Sequence, residues 1–87
     1  MFHVYVIRSQ LSGKIYIGQT SDLEKRLAFH NDPTNKLTLH TKRNAGPWVL
    51  AYSEEYASRS EAVAREKFLK SGAGRKFLKY RLANPGR

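Results

Sequence analysis

The sequence predicts a small α/β domain: a three-stranded sheet, made of an N-terminal antiparallel hairpin plus a third strand, packed with about three helices in the order ββαβαα. Three observations predict it. Two runs rich in β-branched and aromatic residues stand close together near the N-terminus. Two serines, Ser21 and Ser58, are each followed three residues later by a glutamate and then by helix-spaced apolar positions. A third strand-like run lies between those two helical stretches.

Residues 2–8 form the first strand and residues 14–20 the second, with Ile15 and Ile17 alternating against Tyr16 and Gly18. Ser9, Gln10, Ser12 and Gly13 supply turn chemistry, and strands this close in sequence pair as a hairpin. Ser21 and Glu24 have capping-box spacing, Asp22 adds negative charge to the first turn, and Leu23 and Leu27 form the buried stripe. That helix stops near Asn31, Asp32 and Pro33. Residues 32–46 are polar and basic, and a loop of that length usually has a task. Gly46 and Pro47 end it, and residues 48–56 read as the third strand. Ser58 and Glu61 cap a second helix over residues 59–71, with Gly72 and Gly74 as stop signals. Residues 75–82 form a third helix with Phe77, Leu78 and Leu82 inward, and residues 84–87 fray. The expected arrangement covers one face of the sheet with helices.

Composition narrows the function. At 87 residues the chain is a single domain, 1–87, because a second core would be too small. Sixteen Lys and Arg against seven Asp and Glu give a net charge of +9, which favours nucleic acid or an anionic membrane as partner. With no cysteine there is no disulfide framework, thiolate zinc site or cysteine nucleophile. No apolar run is long enough to span a bilayer, and residues 1–9 lack the apolar stretch of a secretory leader. No helix combines a basic face with a large aromatic one, so a membrane partner is not expected. A cytoplasmic, basic domain is the expectation.

Four kinds of side chain bear on chemistry. Arg26 and His30 are four apart, so they stack along one helix face at the edge of the Leu23–Leu27 stripe. The ordinary alternative is a snorkelling arginine and a helix-end histidine. Glu66 falls among Ala62, Val63 and Leu69, the apolar positions of the second helix, so its charge needs a partner. Lys70, one turn on, is the plain partner; Arg26 or a divalent cation is the sharper one, since Mg²⁺ often takes one carboxylate and completes its shell with water and phosphate oxygens. Glu61 is already employed by the cap. Of five tyrosines, Tyr5 and Tyr16 sit in the hairpin, and they share a face if the connecting loop has an even number of residues. Tyrosines also simply fill half-buried sheet faces. Together these groups are the parts of a phosphodiester cleavage site: a base, a cation for the phosphate, and a metal for developing charge. No P-loop, His-Glu-x-x-His or Gly-x-Ser-x-Gly pattern offers another chemistry.

Val4-Tyr5-Val6 followed by Tyr16-Ile17-Gly18 resembles the paired signature of the GIY-YIG nuclease superfamily. The stretch from Gln19 to Asn31, with Thr20, Leu23, Arg26 and His30, is similar to that family's helix, and Arg59-Ser60-Glu61-Ala62 with Glu66-Lys67-Phe68-Leu69-Lys70 is similar to its acidic helix. The pattern resembles short stand-alone members akin to the N-terminal nuclease domain of the bacterial excision-repair endonuclease subunit. This resemblance implies a DNA endonuclease of repair or processing that uses one Mg²⁺ or Mn²⁺ ion. In it Tyr16 would activate or position the attacking water and Tyr5 would hydrogen-bond within the site. Arg26 would hold the scissile phosphate, His30 would assist proton transfer, and Glu66 would be the sole protein ligand of the metal. Gly18 would keep the backbone close to substrate. Val4 stands where the family has its leading Gly, and no Asn follows the acidic helix until Asn84.

All five catalytic candidates are expected on one concave face. Lys14, Lys36, His40, Lys42, Arg43, Arg75, Lys76, Lys79 and Arg81 are candidate contacts to a nucleic-acid backbone. The alternative function is a nucleic-acid-binding protein with little activity. The expected partners are DNA, branched or structured DNA included, and a separate targeting protein.

Overall fold

The structure, a computed structural model, describes residues 1–32 and 47–83. Its elements follow the expected order: β1 (Phe2–Ser9), β2 (Ile15–Thr20), α1 (Leu23–Asn31), β3 (Trp48–Tyr56), α2 (Arg59–Lys70) and α3 (Gly72–Ala83). The sheet is antiparallel with β1 in the middle, in the order β2-β1-β3. Ser9 N–H donates to the Lys14 carbonyl at 2.9 Å, and Gly13 N–H donates to the Ser9 carbonyl at 2.8 Å. The loop is therefore 10–13, and Gly13 takes φ 77°, where a side chain would strain the backbone. Its even length sets the register: Tyr5 opposes Gly18 and Ile7 opposes Tyr16, so both tyrosines lie on one face.

Helices cover both faces of the sheet, not one. Val4 and Val6 pack with Ile17, Ala62, Leu69 and Leu78 beneath α2 and α3. Tyr5 and Ile7, pointing the other way, pack with Trp48 against Tyr16 and the α1 residues Leu23 and Leu27. The central strand alternates two apolar sets, and each set needs a lid.

Two helix boundaries also differ from the reading of the sequence. Asp22, not Ser21, caps α1, its carboxylate accepting from Lys25 N–H at 3.0 Å. Thr20 causes the shift: its hydroxyl accepts the Asp22 N–H at 3.1 Å, so the chain is still turning at Ser21. Gly72 and Gly74 lie inside α3. The break falls on Ser71, whose hydroxyl accepts from Gly74 N–H at 3.2 Å and so opens the next helix. Gly74 is buried because α3 presses on the end of α2; a Cβ there would sit 2.0 Å from the Phe68 carbonyl oxygen. Ser58 caps α2 as expected, with Glu61 N–H donating to Ser58 Oγ at 3.3 Å, and Glu61 answers through its side chain, accepting from the Ser58 hydroxyl at 2.9 Å.

Candidate active site

Face selection in the hairpin and anchoring of α1 build one cluster. Leu23 and Leu27 seat α1 on Ile7 and Trp48. Asn31 then clamps the helix end to β3: its Nδ2 donates to the Trp48 carbonyl at 2.9 Å, and its Oδ1 accepts the Trp48 N–H at 2.7 Å. One residue earlier, His30 is driven inward until only 6% of it is exposed. Its Nε2 shares a 2.9 Å hydrogen bond with the Tyr5 hydroxyl. The Tyr16 ring centroid lies 4.8 Å from that of His30 and 6.3 Å from that of Tyr5. Gly18 makes this possible. The Tyr5 ring lies over it, and a Cβ at residue 18 would come within 2.6 Å of the Tyr5 oxygen. The close approach at Gly18 is thus made by Tyr5.

Burial pushes the Tyr5 phenol well above its ordinary range; the neighbouring Tyr16 and the Glu66 charge push the same way, and Arg26 opposes them. Tyr5 is therefore a neutral phenol throughout the physiological range, and Arg26 and Glu66 both lie within its field. Arg26 is half-buried, its guanidinium 5.4 Å from the Phe29 ring centroid. It borders a depression of ≈ 470 Å³ with Thr20, Lys25 and Phe29.

Glu66 arrives from the other layer. It belongs to α2, under the Val4–Val6 face, so the five candidates do not share one face of the sheet. Because β2 is an edge strand, α2 reaches the cluster around that edge. A groove of ≈ 690 Å³ there is lined both by Tyr16 and by Lys70, one turn beyond Glu66. Lys70 Nζ donates to Glu66 Oε2 at 2.7 Å, which makes the plain partner of the sequence reading the one observed. The Glu66 side chain is 22% exposed, and its Oε1 takes no hydrogen bond among the described residues. Among the described residues no three His, Asp or Glu gather as a ready metal cage. A lone, partly exposed carboxylate with an open oxygen suits a cation that keeps most of its water, as Mg²⁺ does.

Lys14 and Arg75 line the same groove as Lys70. Lys76 and Lys79 are exposed on α3. Arg81 instead stacks 5.4 Å over the Tyr52 ring, away from the cluster. Lys36, His40, Lys42 and Arg43 lie outside the described residues.

Two features escaped the sequence reading. Asn31 is one; an amide at a helix end, just ahead of Asp-Pro, was its only signal. The other is Glu54, which accepts from Arg65 Nε at 2.9 Å and Nη2 at 3.1 Å, from Tyr56 at 2.6 Å, and from the Tyr52 hydroxyl. Burial opposes ionisation of Glu54, but the bonds from Arg65, Tyr52 and Tyr56 outweigh it and hold the carboxyl below its ordinary value. Burial, then the bond to Glu54, pushes Tyr52 up to about 12. This network ties α2 to β3. Glu54 flanked by tyrosines two residues away on either side was its signal, since all three share a strand face.

Residues 1–80 match the family model of the GIY-YIG catalytic domain. The chain is 34% identical over 77 residues to a UPF0213 protein of Staphylococcus haemolyticus, spanning 88% of this chain and 89% of the relative. It is 40% identical over 67 residues to one of Halobacterium salinarum, spanning 76% and 80%. A third, from Streptococcus pneumoniae, is 37% identical over 68 residues, spanning 78% and 65%. No solved structure matches the chain.

Proposed function

We propose that this chain, which belongs to the GIY-YIG family of nucleases, is a metal-dependent endonuclease that hydrolyses phosphodiester bonds in DNA, in a cytoplasmic repair or processing step. The observation that carries the reading is the buried Tyr5–His30 hydrogen bond of 2.9 Å, beside Tyr16, within the field of both Arg26 and Glu66. Glu66, paired with Lys70 through one oxygen, keeps its other carboxylate oxygen open for a cation, which a module that only binds nucleic acid does not need.

Arg26 holds the scissile phosphate, where a guanidinium matches two phosphate oxygens at once. Tyr16, half-exposed, accepts a hydrogen bond from the attacking water and orients it. Tyr5 and His30 Nε2 share the 2.9 Å hydrogen bond; in the tautomer that carries its proton on Nε2, Tyr5 is the acceptor, Nδ1 is the basic nitrogen, and His30 takes the proton shed by the water. Water's oxygen bonds to phosphorus as the bond to the leaving oxygen breaks, and the leaving oxygen takes a proton from solvent to become the terminal hydroxyl of the departing strand. Glu66 would hold one Mg²⁺ or Mn²⁺ ion, which supplies charge stabilisation to the phosphoryl group in the transition state. The groove cations Lys14 and Arg75 add sequence-independent affinity.

The test is a cleavage panel of duplex, flapped, branched and single-stranded DNA, with RNA beside it, in Mg²⁺, Mn²⁺ or EDTA. Cleavage of DNA that EDTA abolishes is expected. A chain that binds these substrates but cuts none with either metal is instead a nucleic-acid-binding protein.

A further inference from the structure

We infer that Lys70 is a positioning residue that exchanges between the Glu66 carboxylate and a phosphate of the bound strand, so that metal binding and strand binding are coupled through one side chain. The inference rests on the nuclease reading of the site.

Three observations meet at Lys70. Its ammonium sits 2.7 Å from Glu66 Oε2, on the carboxylate that would hold the metal. Its side chain is 51% exposed. It also lines the β2-edge groove together with Lys14 and Arg75. Arg75 is held at that end of the groove by a 3.5 Å contact from its Nε to the Lys70 carbonyl. A strand leaving Tyr16 along the groove meets three cations, one of them paired with Glu66. An ion pair between residues four apart on a half-exposed helix face is weak, so a divalent cation takes the carboxylate from it. The freed ammonium, on its flexible four-carbon stem, then turns into the groove and meets phosphate. Coupling of this kind is reciprocal: the strand, by drawing Lys70 away, opens Glu66 to metal.

The first measurement needs neither metal nor turnover. Binding of a fluorescent duplex oligonucleotide in EDTA is followed by anisotropy for wild type, Glu66→Gln, Lys70→Met and the double variant, across a salt series. Circular dichroism checks each fold. Glu66→Gln frees Lys70, so it should tighten binding roughly threefold and steepen the salt dependence by about 0.9 in log–log slope, one added phosphate contact. In the Lys70→Met background the same change should leave the slope unaltered and tighten binding less. Equal effects in both backgrounds would overturn the inference. The second measurement is Mn²⁺ titration followed by paramagnetic broadening of the residue 66–70 amide signals. Lys70→Met should lower the half-point two- to fivefold, and Glu66→Gln should remove the broadening. If Glu66→Gln removes it while Lys70→Met leaves the half-point where it was, the exchange is wrong and the nuclease reading stands. Broadening that ignores Glu66 overturns both.

Discussion

Gly18→Ala should unseat Tyr5. An added Cβ would lie 2.6 Å from the Tyr5 oxygen, 2.7 Å from its Cζ and 3.1 Å from Tyr16 Cε1. Ordinary carbon contacts need about 3.5 Å, so the end of the phenol must retreat by about 1 Å. It has little room, because Tyr5 is only 2% exposed. Such a movement also breaks its 2.9 Å bond to His30. Overpacking costs about 1–3 kcal/mol and the lost hydrogen bond about 1 kcal/mol. Against these stands a gain of about 0.4–1 kcal/mol from restricting the unfolded chain. The net loss is about 1–3.5 kcal/mol, or a melting point lower by roughly 4–28 °C in a domain of this size. Cleavage should fall further than stability, since a displacement of about 1 Å can cost a hundredfold in rate. Urea unfolding is measured on wild type, Gly18→Ala, Tyr5→Ala and the double variant. Clearing the Tyr5 ring should make Gly18→Ala nearly harmless. If Gly18→Ala costs less than about 0.5 kcal/mol in wild type, or as much with Tyr5 removed as with it present, the packing account is refuted.

Glu54→Gln strips the charge from the acceptor of Arg65, Tyr52 and Tyr56, and should destabilise the fold by about 1–3 kcal/mol in urea unfolding without altering the metal requirement of cleavage. Because the folded Glu54 carboxyl is held below its ordinary value, its contribution is complete above the unfolded carboxyl range and is lost as pH falls through the folded value. Wild type should therefore weaken on acidification below about pH 4.5, and Glu54→Gln should flatten that slope. At the alkaline end the sign reverses: Tyr52 is raised to about 12, so stability should fall from about pH 10, where the unfolded phenol ionises, up to that value.

The hairpin, its register and the helix order were legible because each has a local cause. An even loop between Ser9 and Lys14 puts Tyr5 and Tyr16 on one face whatever the rest of the chain does. Leu23 and Leu27 likewise fix which way α1 faces, and Arg26 and His30 follow from them. What escaped depends on distant parts meeting. Gly74 reads as a breaker until α3 is laid on Phe68 and Leu69, when it becomes the residue that permits contact. The second lid on the sheet was hidden because alternation in β1 is apolar on both sides, so period alone could not assign a solvent face. Glu66 is legible from its helical phase, but its approach around the β2 edge, with Lys70 in attendance, depends on which strand is outermost. The role of Glu54 is not legible locally because its cation, Arg65, lies on another element eleven residues away.

On the proposed mechanism Tyr5, Tyr16, Arg26, His30 and Glu66 form one hydrolytic site served by a single carboxylate. Nicking of supercoiled plasmid in Mg²⁺ by wild type and by Glu66→Gln, with circular dichroism on both, tests it most directly. Gln keeps the shape of the side chain and loses the charge that a metal requires. The expected result is a folded variant that still binds DNA and nicks at least about a hundredfold more slowly, the loss of several kcal/mol of transition-state stabilisation. Nicking at the wild-type rate by a folded Glu66→Gln protein would contradict it.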